Sequence, residues 1–233
     1  MSRINQHSKT RECEVKYQIT DKTEKKLLLA KVKALDFKFK TKQLEADFVP
    51  DTPGFLCRQN GLLLRFREIK SKNNDILITL KIKNKNGAQG VKDNFELQYF
   101  LSQPDLLIFK KINTILKKYT KQSLPPDINL LKDFKKLRQA LPHYGFDQYR
   151  TFIEKKREIY SNSQGEEITF DQFPEQIGNY LEIETKSPAA LKKLIASLGL
   201  GAKRLITTDY GDIVKAKKSG LPEFESRTCV FKK

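Results

Sequence analysis

The sequence predicts an α+β fold built on antiparallel strands that each carry one charged face, and three observations lead there. Acids stand two residues apart in Glu12-Cys-Glu14-Val-Lys16 and again in Tyr180-Leu-Glu182-Ile-Glu184. Bases stand two apart in Leu62-Leu-Leu-Arg65-Phe-Arg67, and the run Ile76 to Lys83 alternates Ile76, Ile78, Leu80, Ile82 against Leu77, Thr79, Lys81, Lys83. Elsewhere, apolar residues recur at helical spacing. In a strand, side chains two apart share a face, so both carboxylates of each acid pair project together while Cys13, Val15, Leu181 and Ile183 project oppositely. Carboxylates crowded in this way repel one another unless a cation lies between them, which makes a divalent metal their natural partner.

Taken in order, the first strand is followed by Asp21-x-x-Glu24, a capping box, and by Leu28, Val32 and Leu35, which predict a helix from about Lys22 to Asp36. Gln43 to Val49 reads as a second strand and Asp51-Thr-Pro-Gly54 as a turn. Strands around Arg65, Lys81 and Glu96 continue an antiparallel meander. Residues 83–92, with Gly87 and Gly90, read as a mobile hairpin loop rather than a phosphate-binding loop, since the Lys-Ser/Thr ending is missing.

Ile108, Ile112, Ile115 and Tyr119 mark a helix that ends before Pro125-Pro126, and Leu130, Phe134, Leu137 and Leu141 mark another stopped by Pro142. Strands around Arg157, Asp171 and Glu182 follow. Ser187-Pro188 opens a helix with Leu191, Ile195 and Leu198 inward and Gly199 as its stop. A short strand is expected near Leu205 to Thr208, and the basic stretch 215–233 need not be ordered. The expected organisation is one domain over residues 1–214, with a helical insertion at about 104–142 and a basic tail over 215–233.

A chain of 233 residues can bury a good core. Its formal net charge of +17 predicts attraction to polyanions such as nucleotides, polyphosphate, nucleic acid or an anionic surface. No apolar run suits a signal peptide or a bilayer span, so the expectation is a soluble cytoplasmic protein without a membrane partner. Cys13, Cys57 and Cys229 are too few and too scattered for a disulfide framework or a zinc site. His7 and His143 lack the partner pattern of a catalytic histidine and read as surface residues.

The set of charged pairs resembles the CYTH superfamily, the triphosphate tunnel metalloenzymes, which include class IV adenylate cyclases, thiamine triphosphatases and inorganic triphosphatases. The resemblance runs in order through the Glu-x-Glu-x-Lys of Glu12, Glu14 and Lys16, Arg65-x-Arg67, Thr79-x-Lys81, Glu96, Lys155-x-Arg157, Asp171 and Glu182-x-Glu184. A single Glu-x-Glu or Arg-x-Arg strand is ordinarily the wet face of an antiparallel sheet. Ordered recurrence along nearly the whole chain lifts the set above that reading.

The resemblance implies an eight-stranded antiparallel tunnel barrel with a polar lumen and helices packed outside; long charged side chains would keep such a barrel open to an anion. It implies triphosphate binding by Lys16, Arg65, Arg67, Lys81, Lys155 and Arg157, and Mg²⁺ or Mn²⁺ binding by Glu12, Glu14, Glu96, Asp171, Glu182 and Glu184. Catalytic roles fall to Glu14, Lys81, Asp171 and Glu184. Lys155 and Arg157 face inward by resemblance only, because Glu154, Lys156 and Glu158 form an equally polar opposite face. Asn94 and Gln98 stand where many relatives have a basic and an acidic residue. Tyr210 matches a position where the family often has Ser-Tyr, with a packing role equally open.

The implied function is metal-dependent hydrolysis of a triphosphate, whether tripolyphosphate, a nucleoside triphosphate or thiamine triphosphate. The same grip suits an adenylate cyclase that makes cyclic AMP and pyrophosphate from ATP. A nucleic-acid-binding module is the competing class, motivated by the charge and by Phe37-Lys-Phe-Lys40.

Overall fold

A computed structural model describes residues 10–71, 74–84 and 92–232. In chain order the elements are β1 (Thr10–Ile19), α1 (Lys22–Ala34), β2 (Lys38–Asp51), α2 (Leu56–Gln59), β3 (Leu62–Lys70), β4 (Asp75–Lys83), β5 (Lys92–Phe100), α3 (Leu106–Thr120), α4 (Phe134–Ala140) and β6 (Gln148–Ser161). The chain continues through β7 (Glu167–Gln172), β8 (Asn179–Thr185), α5 (Pro188–Leu198), β9 (Leu205–Ile206), α6 (Tyr210–Lys217), α7 (Glu223–Ser226) and β10 (Thr228–Cys229). The sheet runs β6-β2-β3-β4-β5-β1-β8-β7, and β7 pairs back to β6, so eight strands close into a ring; β9 pairs with β1 and β10 with β6. The loop expected over 83–92 lies for the most part outside the described residues. No helix among the described residues is long and apolar enough to cross a membrane.

The chain forms two compact units. The first is built mainly from Ala46–Lys83 and Phe95–Phe152. Its core joins Leu64, Phe66, Ile78, Leu80, Leu97 and Tyr99 from the strands to Ile108, Ile112, Leu116, Phe134 and Leu137 from α3 and α4. The predicted insertion therefore covers the apolar face of this unit's strands. Asp105 caps α3 by accepting from the Leu107 and Ile108 amides at 2.9 and 3.1 Å. The buried stripe of α3 ends in Leu116 and Thr120, while Ile115 is half-buried and Tyr119 exposed, one residue off the spacing expected from sequence. α4 starts at Phe134, behind the Asp133 cap, and Pro142 lies within a following 3-10 turn (Leu141–Tyr144) instead of terminating the helix. The Asp51 carboxylate accepts from the amides of Thr52, Cys57 and Arg58 and so fixes the turn that leads into β3.

The second unit is built from Arg11–Glu45, Asn84–Asn94 and Ile153–Lys233. In β1, Cys13, Val15 and Tyr17 join Ile168, Phe170, Leu181 and Ile183 under Leu28 and Val32 of α1 and Leu191, Leu194 and Leu198 of α5. Full burial of each such leucine contributes about 1.5–3 kcal/mol. Ile195, expected inward, is only half-buried, and Leu194 takes its place. The termini of both helices are satisfied. Asp21 accepts from the Glu24 amide and Glu24 from the Thr20 amide, each at 2.8 Å. Ser187 caps α5 and Gly199 ends it at φ 69°, a left-handed conformation that suits glycine. Lys31 Nζ then donates to the Leu198 carbonyl at 2.7 Å.

The basic stretch expected over 215–233, which need not have been ordered, holds the end of α6 together with α7 and β10. A small core of Ile153, Phe173, Ile177, Tyr180, Ile213, Val214 and Cys229 seats them. Lys218 Nζ ties the segment down by donating to Glu175 at 2.7 Å and to the Thr228 carbonyl at 2.5 Å.

Candidate active site

Strand parity divides each strand between the apolar cores and a second face, and that second face is also buried. In the second unit Glu14 is 1% exposed, Lys16 2%, Lys155 1% and Asp171 2%, which rules out an ordinary wet sheet surface. Lys156, on the opposite face of β6, is exposed. Ions taken out of water in this way must be compensated, and these are.

Register aligns them across strands. Glu14 lies opposite Glu184 and Lys16 opposite Glu182 on β1 and β8; Glu182 lies opposite Thr169 and Glu184 opposite Glu167 on β8 and β7; Asp171 lies opposite Arg157 on β7 and β6. Lys16 Nζ donates to Glu14 at 2.8 Å and stands 3.5 Å from Glu182. Arg157 forks onto Asp171, with Nε at 2.6 Å and Nη2 at 2.5 Å, and Nη2 also reaches Glu182 at 2.7 Å. Lys155 Nζ lies 3.3 Å from Glu45 and 3.9 Å from Asp171. Tyr210, which opens α6, donates from Oη to Asp171 at 2.8 Å. Its ring centroid is 4.9 Å from both the Lys16 and the Lys155 ammonium.

The electrostatics follow from these partners. Burial works against the Lys16 charge, but Glu14 and Glu182 outweigh it and keep the ammonium protonated well above its ordinary range. Burial likewise opposes the Arg157 charge and is overcome by Asp171, Glu45 and Glu182. Burial alone would raise Glu182; Lys16 and Arg157 instead hold it well below the usual carboxylate range. Burial, with Asp171 and Glu182, pushes the Tyr210 phenol far up, so it stays a hydrogen-bond donor.

Oxygens of Glu12, Glu14 and Glu184 all lie within 4.8 Å of one another, the one such acidic group among the described residues. This all-carboxylate set, without His or Cys, suits a hard cation such as Mg²⁺ or Mn²⁺ and not zinc. Glu182 and Asp171, expected to share the metal, are turned instead to the cations described above.

The first unit holds the remaining expected residues. Arg67 forks onto Asp47 at 2.6 and 2.9 Å. Lys81 Nζ stands 3.1 Å and Arg65 Nη2 3.9 Å from Glu96, which also accepts from Gln98 at 2.7 Å. Burial is opposed there by Lys81 and Arg65, and Glu96 titrates below its ordinary range. Glu96 therefore sits among bases and outside the three-glutamate group. Sequence reading passed over Glu45 and Asp47, although their two-residue spacing on β2 was the same signal; it also passed over Glu167 and Thr169, which only the register brings beside Glu184 and Glu182.

A closed ring of strands that buries acids and bases in alternation, opposite its apolar cores, defines a class of domain with an ionic face in place of a second core. The chain belongs to the CYTH domain family, whose sequence pattern matches residues 10–207. Solved structures share the fold at low identity. A protein from Pyrococcus horikoshii is 20% identical with TM-score 0.60 over 89% of this chain and 99% of that one. A protein described as an adenylate cyclase candidate from Vibrio parahaemolyticus is 18% identical with TM-score 0.56, covering 88% and 98%. An adenylyl cyclase candidate from Hippeastrum, described as having a dominant triphosphatase activity, is 18% identical with TM-score 0.52, covering 91% and 98%. No curated protein matches the chain in sequence.

Proposed function

We propose that this CYTH protein is a divalent-metal-dependent hydrolase acting on a triphosphate. One observation carries the reading: the oxygens of the buried Glu12 and Glu14 and the half-buried Glu184 adjoin, through the β1–β8 register, the buried cation Lys16 and its neighbour Glu182. In this reading Glu12, Glu14 and Glu184 hold Mg²⁺ or Mn²⁺. When bound, such an ion polarises phosphoryl oxygens and makes a water acidic enough to act as nucleophile near neutral pH.

The chain's own residues do the rest. Arg157, Lys16 and Lys155 supply the positive charge that offsets the charge of the transferred and leaving groups. Asp171 and Tyr210 aim Arg157, since one carboxylate accepts from both. Removal from bulk water strengthens each of these interactions and spares them reorganisation during the reaction. The proposal assigns phosphate binding also to Arg65, Arg67 and Lys81, each now resting on Glu96 or Asp47.

A second reading, adenylate cyclase, draws on the description of the Vibrio parahaemolyticus relative. It uses the same grip with a ribose hydroxyl in place of water. The triphosphatase activity named for the Hippeastrum relative favours hydrolysis. Incubation of the purified chain with Mg²⁺ or Mn²⁺ and, separately, tripolyphosphate, ATP and thiamine triphosphate decides between them. Orthophosphate release that EDTA stops supports the proposal; cyclic nucleotide with pyrophosphate replaces it by the cyclase; no turnover of any of the three refutes both.

A further inference from the structure

We propose that the Thr169 hydroxyl is a phosphate-binding group of this site, donating to a phosphate oxygen of the bound substrate; the inference rests on the triphosphate reading above. Thr169 is fully buried at 0% exposure, and its Oγ1 has no hydrogen-bond partner among the described residues. Buried hydroxyls without a partner are rare, because each loses its hydration with nothing in return.

Parity places it on the ionic face. Its strand neighbours Ile168 and Phe170 belong to the apolar core, so Thr169 projects with Glu167 and Asp171. Cross-strand it lies opposite Glu182, whose own register partner is Lys16. The acceptors nearest along these strands are already engaged: Glu182 with Lys16 and Arg157, Asp171 with Arg157 and Tyr210. A donor held among satisfied carboxylates and next to cations needs an acceptor that arrives with the ligand. Phosphate oxygen is the acceptor that the surrounding Lys16 and Arg157 attract. A β-branched residue also keeps its hydroxyl in a narrow range of directions, so the donor is oriented in advance.

The test uses the full chain as wild type, T169V and T169S. Each is titrated with tripolyphosphate in EDTA by calorimetry and melted with tripolyphosphate plus Mg²⁺. T169V keeps shape and removes the hydroxyl. It is expected to bind about ten-fold or more weakly, as for a lost hydrogen bond to a charged group, without melting earlier than wild type when ligand-free. T169S is expected to bind within about three-fold of wild type.

T169V binding as wild type would overturn the proposal. A ligand-free T169V that melts well below wild type while T169S does not would also overturn it, by assigning the hydroxyl to the fold. Failure of the wild type itself to bind tripolyphosphate in either format would refute the triphosphate reading, a result separable from an unaffected T169V.

Discussion

Replacing Arg157 with methionine tests whether the buried charges form a compensated set. Arg157 is 4% exposed and makes three hydrogen bonds, two to Asp171 and one to Glu182, with Glu45 at 3.7 Å from Nε. Methionine fills much of the space but supplies no charge, leaving Asp171 and Glu182 under-compensated in a buried setting. Removing one member of a buried ion pair costs about 3–5 kcal/mol. Lys16 still serves Glu182 and Lys155 still serves Glu45, which places the expected loss toward the lower end of that range. At about 2–4 °C per kcal/mol for a chain of this length, the melting temperature falls by roughly 10 °C at pH 7.

The sign with pH follows from Glu182. In the wild type its folded pKa is depressed, so it contributes stability that is present above the unfolded carboxylate value and lost only as pH falls through the depressed one. In R157M much of that depression is gone. The two proteins should therefore converge as pH drops through about 4.5 and below, where Glu182 of the variant takes up a proton. Calorimetric melts of both from pH 7 to pH 4 provide the measurement. A variant that melts within about 2 °C of wild type at pH 7, or a gap that widens on acidification, would refute the reasoning.

Two further outcomes follow from other parts of the molecule. Glu184→Gln should leave the metal-free melting temperature near or above that of wild type, because it relieves crowding with Glu12 and Glu14, while abolishing the rise in melting temperature that Mg²⁺ gives the wild type; an equal rise in both would remove Glu184 from the metal. The Arg204 hydrogen bonds hold Glu24 down to about 2, so Glu24→Gln should be less stable than wild type at pH 7, with the difference shrinking as pH falls from about 4.5 toward about 2. Because Arg204 is partly solvated, that loss should stay below about 1 kcal/mol in denaturant melts.

Much of this arrangement is legible in the chain because a strand has period two. Glu12 and Glu14, or Glu182 and Glu184, cannot occupy opposite faces of one strand, so parity alone sorts them from Cys13 and Ile183. Capping chemistry was equally legible at Asp21, Ser187 and Gly199, where local groups satisfy local backbone. Parity fails where both faces are polar: Lys155 and Lys156 look alike in sequence, and only burial separates them. It also cannot supply register, so the pairing of Thr169 with Glu182 and of Glu167 with Glu184 was invisible. The stripe of α3 lies one position from the sequence expectation because Ile115 and Leu116 are both apolar, and packing into the core of the first unit decides which is covered. Tyr210 came to Asp171 through tertiary folding of α6, for which no local pattern exists.

The two covered faces of β1 have an evolutionary consequence. Cys13, Val15 and Tyr17 are seated in hydrocarbon, and Glu12, Glu14 and Lys16 are buried on the ionic face, so this segment offers no position where drift is free. A saturation library should show an unbroken block of intolerance from Glu12 to Tyr17, unlike the every-third-or-fourth rhythm of a helix such as α1, whose outer lysines can vary. Divergence within such an architecture is channelled to helix exteriors and connections, and new specificities must arise there or by trading one charge for another in concert.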